Sequence, residues 1–268
     1  TKKDQTSSTT TNGDKNSPQT GQNTSPQGSG SNSSGDLPKF TQKSHVKSYK
    51  GCDITKDDCA NIQIYYLEMA DGKYSSVVNQ LIKEQAMNVY SFEESPKYKD
   101  LSEVTDAFMK DYEEFKKDVP DAPGAWYLKD TTAIITNTPE ILCFENRHES
   151  YLGGAHGSFN VAYTNVDMRT GKRLNTANIF VKDFKKTLNA LIEKEIRKIL
   201  EIKPGQSLTD GGLFENTVGF NENFAIKKDG IEFLYNQYEI APYALGVIEV
   251  KLSYKDLESI LNKEVVKM

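Results

Sequence analysis

Apolar and polar positions divide the chain into an unpatterned start and a patterned remainder. Residues 1–38 are mostly Thr, Ser, Asn, Gln, Gly, Pro and Lys, without period and almost without large apolar side chains. Such a stretch buries too little apolar area to offset the entropy of ordering it. It reads as a disordered tether, and a coil of that length has an r.m.s. span of about 30–35 Å.

The pattern changes at Lys39. Residues 61–67 alternate at their start like a strand, and Asp71-Gly72 turns the chain. Val77, Val78, Leu81, Ile82, Ala86 and Val89 recur at helical spacing and predict an amphipathic helix capped by Ser75 or Ser76. Leu101, Val104, Phe108, Tyr112 and Phe115 predict a second helix, beginning near Ser102 and ending before Pro120. A β-rich block follows over 126–168, with strands at 131–135 and 141–151 joined through Asn137-Thr138-Pro139-Glu140, and Phe159, Val161 and Tyr163 alternating on a third. After a turn at Arg169-Thr170-Gly171-Lys172, the residues Phe184, Leu188, Leu191, Ile192, Ile196 and Ile199 line a long helix from near Asp183. Phe224 and Ile226 then face Ile231, Phe233 and Tyr235 across Lys228-Asp229-Gly230, a hairpin signal. Ile248, Val250 and Leu252 make a further strand, and residues 254–261 predict a short terminal helix. Hairpins mixed with helices, without βαβ repetition, give an α+β fold: antiparallel sheets with hairpins packed against two to three amphipathic helices.

The length of 268 residues allows one large domain or two small ones. A formal net charge of −5 disfavours nucleic acid, which selects a basic face. The acidic surface instead steers basic partners toward it. No run of about 18 apolar residues is present to span a bilayer. Because the sequence opens at Thr1 directly into its polar tail, a mature chain whose targeting segment has been removed is the expectation.

Cys52 and Cys59 bracket a short polar loop, whereas Cys143 lies in the apolar run Ile141-Leu142-Cys143-Phe144. The first two read as a disulfide and the third as a buried thiol. Closing so short a loop contributes about 2–3 kcal/mol on the chain-entropy model and implies an oxidising compartment. The competing metal reading needs further thiol or imidazole ligands, and only His45 is near in sequence.

His148 and His156 flank the segment Tyr151-Leu152-Gly153-Gly154-Ala155-His156-Gly157. A catalytic serine needs a strained elbow and an orienting acid, which the context of Ser158 does not supply. A zinc set of His148, Glu149 and His156 has no helical spacing of the HExxH kind. The glycines admit two readings: a tight crossing between strands with a histidine bonded inside it, or a partner-facing loop. A second cluster, residues 235–246, places Tyr235, Tyr238 and Tyr243 around Pro242. Such tyrosines serve equally as interface anchors or as rim residues closing a core. No carboxylate pair is placed opposite a substrate by any local signal, and no cofactor is implied.

These two clusters carry a resemblance. The Tyr151 to Gly157 stretch, Thr170-Gly171, Asn178-Ile179-Phe180, and the segment from Phe224 through Asp229-Gly230 to residues 238–246 resemble the paired extracytoplasmic domains of RsiV and PdaC. Cys52, Cys59 and Ile62-Gln63-Ile64 are similar to the first member of that pair. The resemblance covers residues 48–261. It implies an envelope protein: in RsiV-type proteins this region is a sensor that binds lysozyme, and in PdaC-type proteins it precedes a peptidoglycan deacetylase domain. This sequence shows neither an anti-sigma segment nor a deacetylase domain, so the expectation is a non-catalytic binding or sensor module for lysozyme or peptidoglycan, with a glycan-modifying or hydrolytic envelope enzyme as the alternative. A polar tail of this kind commonly follows a lipidated cysteine, which makes membrane attachment through a lipid anchor the expectation. The domain reading is a tether over 1–38, a first family region over 39–155 and a second over 156–268. Tyr151, Gly153, Gly154, His156, Tyr238 and Tyr243 are the candidate binding residues.

Overall fold

A computed structural model describes residues 37–56, 58–90, 98–122 and 124–266. The expected tether lies outside the described residues except for Leu37 and Pro38. Beyond it, the chain forms β1 (Phe40–Ser48), β2 (Asn61–Met69), α1 (Ser75–Met87), α2 (Leu101–Asp118), β3 (Tyr127–Asn137), β4 (Ile141–Tyr151), β5 (Ser158–Asp167) and β6 (Lys172–Leu174). It continues through α3 (Thr176–Ile179), α4 (Lys185–Ile199), β7 (Phe224–Ile226), β8 (Gly230–Tyr235) and β9 (Ile248–Ser253).

β1 to β6 make one sheet in sequence order and β7 to β9 a second. The α+β expectation holds, with every pairing antiparallel except β2 with β3, which run parallel. That exception follows from the crossover through α1 and α2, since a parallel pair needs a long connection. Along β4 the residues Leu142, Phe144, Asn146, His148 and Ser150 share one face. Leu142 and Phe144 pack there with Val78 and Ile82 of α1, while Ile62, Ile64 and Leu128 pack with Val104 and Phe108 of α2. The opposite face turns Cys143, Val161 and Tyr163 toward Ala225 and Leu234 of the second sheet.

Asparagine side chains join the two sheets where strand pairing stops. Asn223 Oδ1 accepts from the Tyr163 N–H at 2.8 Å, and Asn236 Oδ1 accepts from the Val161 N–H at 2.8 Å. Asn165 Nδ2 donates to the Phe224 carbonyl at 2.6 Å while its Oδ1 accepts from Ile226 N–H at 2.9 Å. Backbone groups of β5 and of β7 are thereby satisfied by amides that mimic a ladder. The far side of the second sheet packs against α4 through Leu188, Ile192, Ile196, Phe233 and Val250.

Several boundaries differ from the sequence expectation. Tyr74, not Ser75 or Ser76, is the N-terminal cap of α1, and it supplies no side-chain cap; the Ser75 hydroxyl donates instead to the Gly72 carbonyl at 3.0 Å. α2 starts one residue early because the Asp100 carboxylate accepts from the N–H groups of Ser102 and Glu103. The predicted terminal helix is a run of turns. Phe180 pairs with Leu261 in an isolated bridge, and the N–H groups of Val181 and Asn262 donate to the carbonyls of Ile260 and Ile179. Backbone committed to these neighbours is not free to continue an i to i+4 ladder. β1 carries no apolar alternation because it is an exposed edge strand rich in Lys, Gln, Ser and Thr.

Candidate functional site

Cys52 and Cys59 are bonded, with Cα atoms 6.6 Å apart, and Cys143 is a buried free thiol. The metal alternative at the first pair is thereby closed by the covalent bond. The proposed zinc set is dispersed: strand alternation directs His148 and Glu149 to opposite faces of β4, while His156 sits in the following loop.

The two clusters singled out in the sequence meet in space. Between β4 and β5, Gly153 adopts a φ of +80°, and a Cβ there would stand 2.8 Å from both Phe115 Cζ and Trp126 Nε1. Only glycine meets both demands, so the loop is pinned onto the aromatic core formed with Phe108 and Tyr112. His156, three residues on, is thereby carried to the surface beside the β8–β9 connection. Its ring stacks on Tyr243 at 4.1 Å between centroids and 27° between planes, and lies 6.3 Å from Tyr238. His156 Nδ1 is 2.8 Å from the Gly157 carbonyl. Because a carbonyl only accepts, Nδ1 carries a proton, and Nε2 lies within hydrogen-bond reach of the Tyr238 hydroxyl at 3.3 Å. Tyr238 is 56% exposed, in a left-handed conformation at φ 65°. Of the remaining candidates, Tyr151 stacks on Tyr127 at 6.5 Å, and Gly154 is exposed in the loop itself.

A second feature has no counterpart among the sites predicted from sequence. On the helix-covered face of the first sheet, past the end of α1, lies a pocket of about 540 Å³. Gln85, Val89, Leu128, Asp130, Asn146, His148 and Ser150 contribute to its wall. Asp130 is fully buried; its Oδ2 accepts from Asn146 Nδ2 at 3.0 Å. Burial raises its pKa to about 7, against which the Asn146 bond acts only in part. His148, the cross-strand partner of Asp130, is pushed by burial down to about 4, with Nε2 3.2 Å from Ser150 Oγ. The signal was present as polar residues occupying the inward register: Asp130 and Thr132 after Leu128, and Asn146, His148 and Ser150 after Phe144.

Residues 54–159 match the family described as deacetylase PdaC, and residues 177–255 match a family of unknown function, DUF3298. The chain therefore has the two-region architecture of the PdaC and RsiV type, and the aromatic stack draws His156 from the first region and its tyrosines from the second. Among curated relatives, it is 28% identical over 142 residues to the peptidoglycan-N-acetylmuramic acid deacetylase PdaC of Bacillus subtilis strain 168. That alignment covers 52% of this chain and 28% of PdaC, so the chain spans less than a third of its relative. Two crystal structures of DUF3298 proteins share the fold. One, from Bacteroides fragilis, has a TM-score of 0.66 at 22% identity, covering 85% of this chain and 96% of its own. The other, from Pseudomonas aeruginosa PAO1, has a TM-score of 0.65 at 18% identity, covering 86% and 97%. Among the described residues no helix is long and apolar enough to cross a membrane.

Proposed function

We propose that this chain is a non-catalytic binding module of the bacterial cell envelope, held outside the cytoplasm by a lipid anchor, whose ligand is the glycan of peptidoglycan. The observation that carries this reading is the exposed stack of His156, Tyr238 and Tyr243, built jointly by both matched regions. Tyrosine offers a rigid apolar face with a polar edge, the complement of a sugar ring with its C–H face and hydroxyl rim. The Cys52–Cys59 disulfide supports an oxidising compartment, and the name of the Bacillus relative supports peptidoglycan as the polymer.

A hydrolytic or glycan-modifying role is less well supported. Ser150 and His148 are within hydrogen-bond reach, yet a histidine pushed down to about 4 is a weak base for a hydroxyl near neutral pH. His148 Nδ1 also has no hydrogen-bond partner among the described residues, whereas a triad histidine is oriented by a carboxylate there.

The net charge of −5 favours a second reading, capture of a basic protein such as lysozyme. Calorimetric titration of the full chain with soluble peptidoglycan fragments and, separately, with a C-type lysozyme tests both. Saturable binding of fragments that is lost in His156→Ala supports the glycan reading; binding of lysozyme alone replaces it with the second; flat heats with both overturn the module.

A further inference from the structure

The polar pocket beyond α1 is distinct from the aromatic stack, and its chemistry is independent of the function proposed for that stack. Its volume, about 540 Å³, falls within the range of small-molecule sites, about 300–1,000 Å³. Among the described residues seven buried side-chain atoms lack a hydrogen-bond partner, and four of them belong to residues lining this one pocket: Gln85 Oε1, Asp130 Oδ1, Asn146 Oδ1 and His148 Nδ1. Scattered orphans are ordinary, but a cluster of them repeats the desolvation cost at one place. A ligand that satisfies them together removes that cost.

The chemistry of the four atoms restricts the ligand. Gln85 Oε1 and Asn146 Oδ1 only accept, since the amide nitrogens of both side chains already donate, one to Thr164 Oγ1 and the other to Asp130 and Thr132. Asp130 adds a carboxylate oxygen. We propose that the pocket binds the primary ammonium group of a small hydroxylated ligand, an amino sugar without an N-acyl group, with the ammonium donating to Asp130, Asn146 and Gln85. An ammonium carries three donors and no acceptor, which matches three side-chain oxygens, one of them on a carboxyl group that a bound cation would hold ionised. It also supplies the opposite charge that the buried Asp130 lacks. Neutral His148 adds no competing charge, and Arg173, the one arginine or lysine among the described lining residues, is solvent-exposed on β6, where water and salt screen it. Ser150, Ser158 and Asn160 face the ligand with groups that exchange hydrogen bonds with sugar hydroxyls, while Val89, Leu128 and Leu152 line the pocket with apolar surface.

The test is a chemical-shift titration of the full chain at pH 7 with glucosamine, N-acetylglucosamine, glucose and ethanolamine in parallel. Glucosamine is expected to bind at least tenfold more tightly than the other three, perturbing the amides of β3 and β4, and Asp130→Asn is expected to weaken it tenfold or more. Equal affinity for glucose or N-acetylglucosamine overturns the ammonium. Equal affinity for ethanolamine overturns the sugar and leaves a plain amine site. No shift with any of the four, or an unchanged affinity in Asp130→Asn, overturns the pocket as a ligand site. Thermal melting of Asp130→Asn separates lost binding from lost folding, because an uncharged isostere at a fully buried position keeps the midpoint at or above that of the parent.

Discussion

The imidazole of His156 and the phenol ring of Tyr243 lie face to face at 4.1 Å although they stand in loops of different sheets. The stack is the point where the β4–β5 loop touches the β8–β9 connection, so it reports on the geometry of both. Replacing Tyr243 by Ala is expected to cost about 0.5–1.5 kcal/mol, the range of an aromatic pair. The direct readout is NMR: the ring-current displacement of the His156 side-chain protons should disappear in Tyr243→Ala and survive in Tyr243→Phe.

Gly153 is constrained twice, by a left-handed φ of +80° and by contact with Phe115 and Trp126. Gly153→Ala should therefore lower stability by about 2–4 kcal/mol, combining left-handed strain with overpacking. Urea denaturation followed by Trp126 fluorescence, the single tryptophan of the chain, measures this directly. Gly154→Ala, whose added Cβ comes no closer than 3.9 Å to the His156 carbonyl, should leave the midpoint almost unmoved.

Asp130 binds its proton more tightly in the folded chain, near pH 7, than at its ordinary value of 3.8. Its neutral form is thus the one the fold favours: the associated stability is full below about pH 4, is lost as pH rises toward 7, and is constant above. Asp130→Asn cannot ionise, so its stability advantage over the parent should grow across that window and then level off. A shift of this size corresponds to at most about 4 kcal/mol, taking about 1.4 kcal/mol per pKa unit. The His148 shift has the opposite sign but is common to both proteins, so it cancels in the difference. Denaturation curves of the two proteins at pH 4, 5.5, 7 and 8 give the profile.

Cys143 is fully buried in strand β4, and burial raises its thiol to about 12. The thiolate is the reactive species, so the native chain should resist alkylation at neutral pH and take up one label per molecule on unfolding under non-reducing conditions. Reduction of Cys52–Cys59 should in turn lower stability by about 2–3 kcal/mol through the larger conformational freedom of the open loop, read as a fall in the thermal midpoint.

The apolar patterns were sufficient to locate α1, α2, α4 and the strands β2, β4, β5, β8 and β9: a helix that buries one stripe repeats at 3.6 residues and a half-buried strand at 2, while β4 and β8, covered on both faces, stay rich in apolar residues. The β7–β8 hairpin was legible as a hairpin but not to its register: Gly230, read as part of the turn, opens β8, so that Phe224 stands opposite Phe233 and Ile226 opposite Ile231. The disulfide and the buried thiol also followed from spacing and context. β1 and β6 were not legible, since the polar, exposed residues of β1 and the three residues of β6 leave no period to detect. Nor was the turn-rich C-terminus, whose conformation depends on pairing with Phe180 some 80 residues earlier. At the sites the division is sharper. Local composition singled out His156, Tyr238 and Tyr243 one by one; their convergence depended on how the second sheet docks along β5 through Asn223, Asn236 and Asn165. The pocket of Asp130, Asn146, His148 and Gln85 is wholly tertiary. An inward polar residue on a strand becomes a binding group only where packing leaves a cavity beside it, and that is fixed by where α1 ends over the sheet.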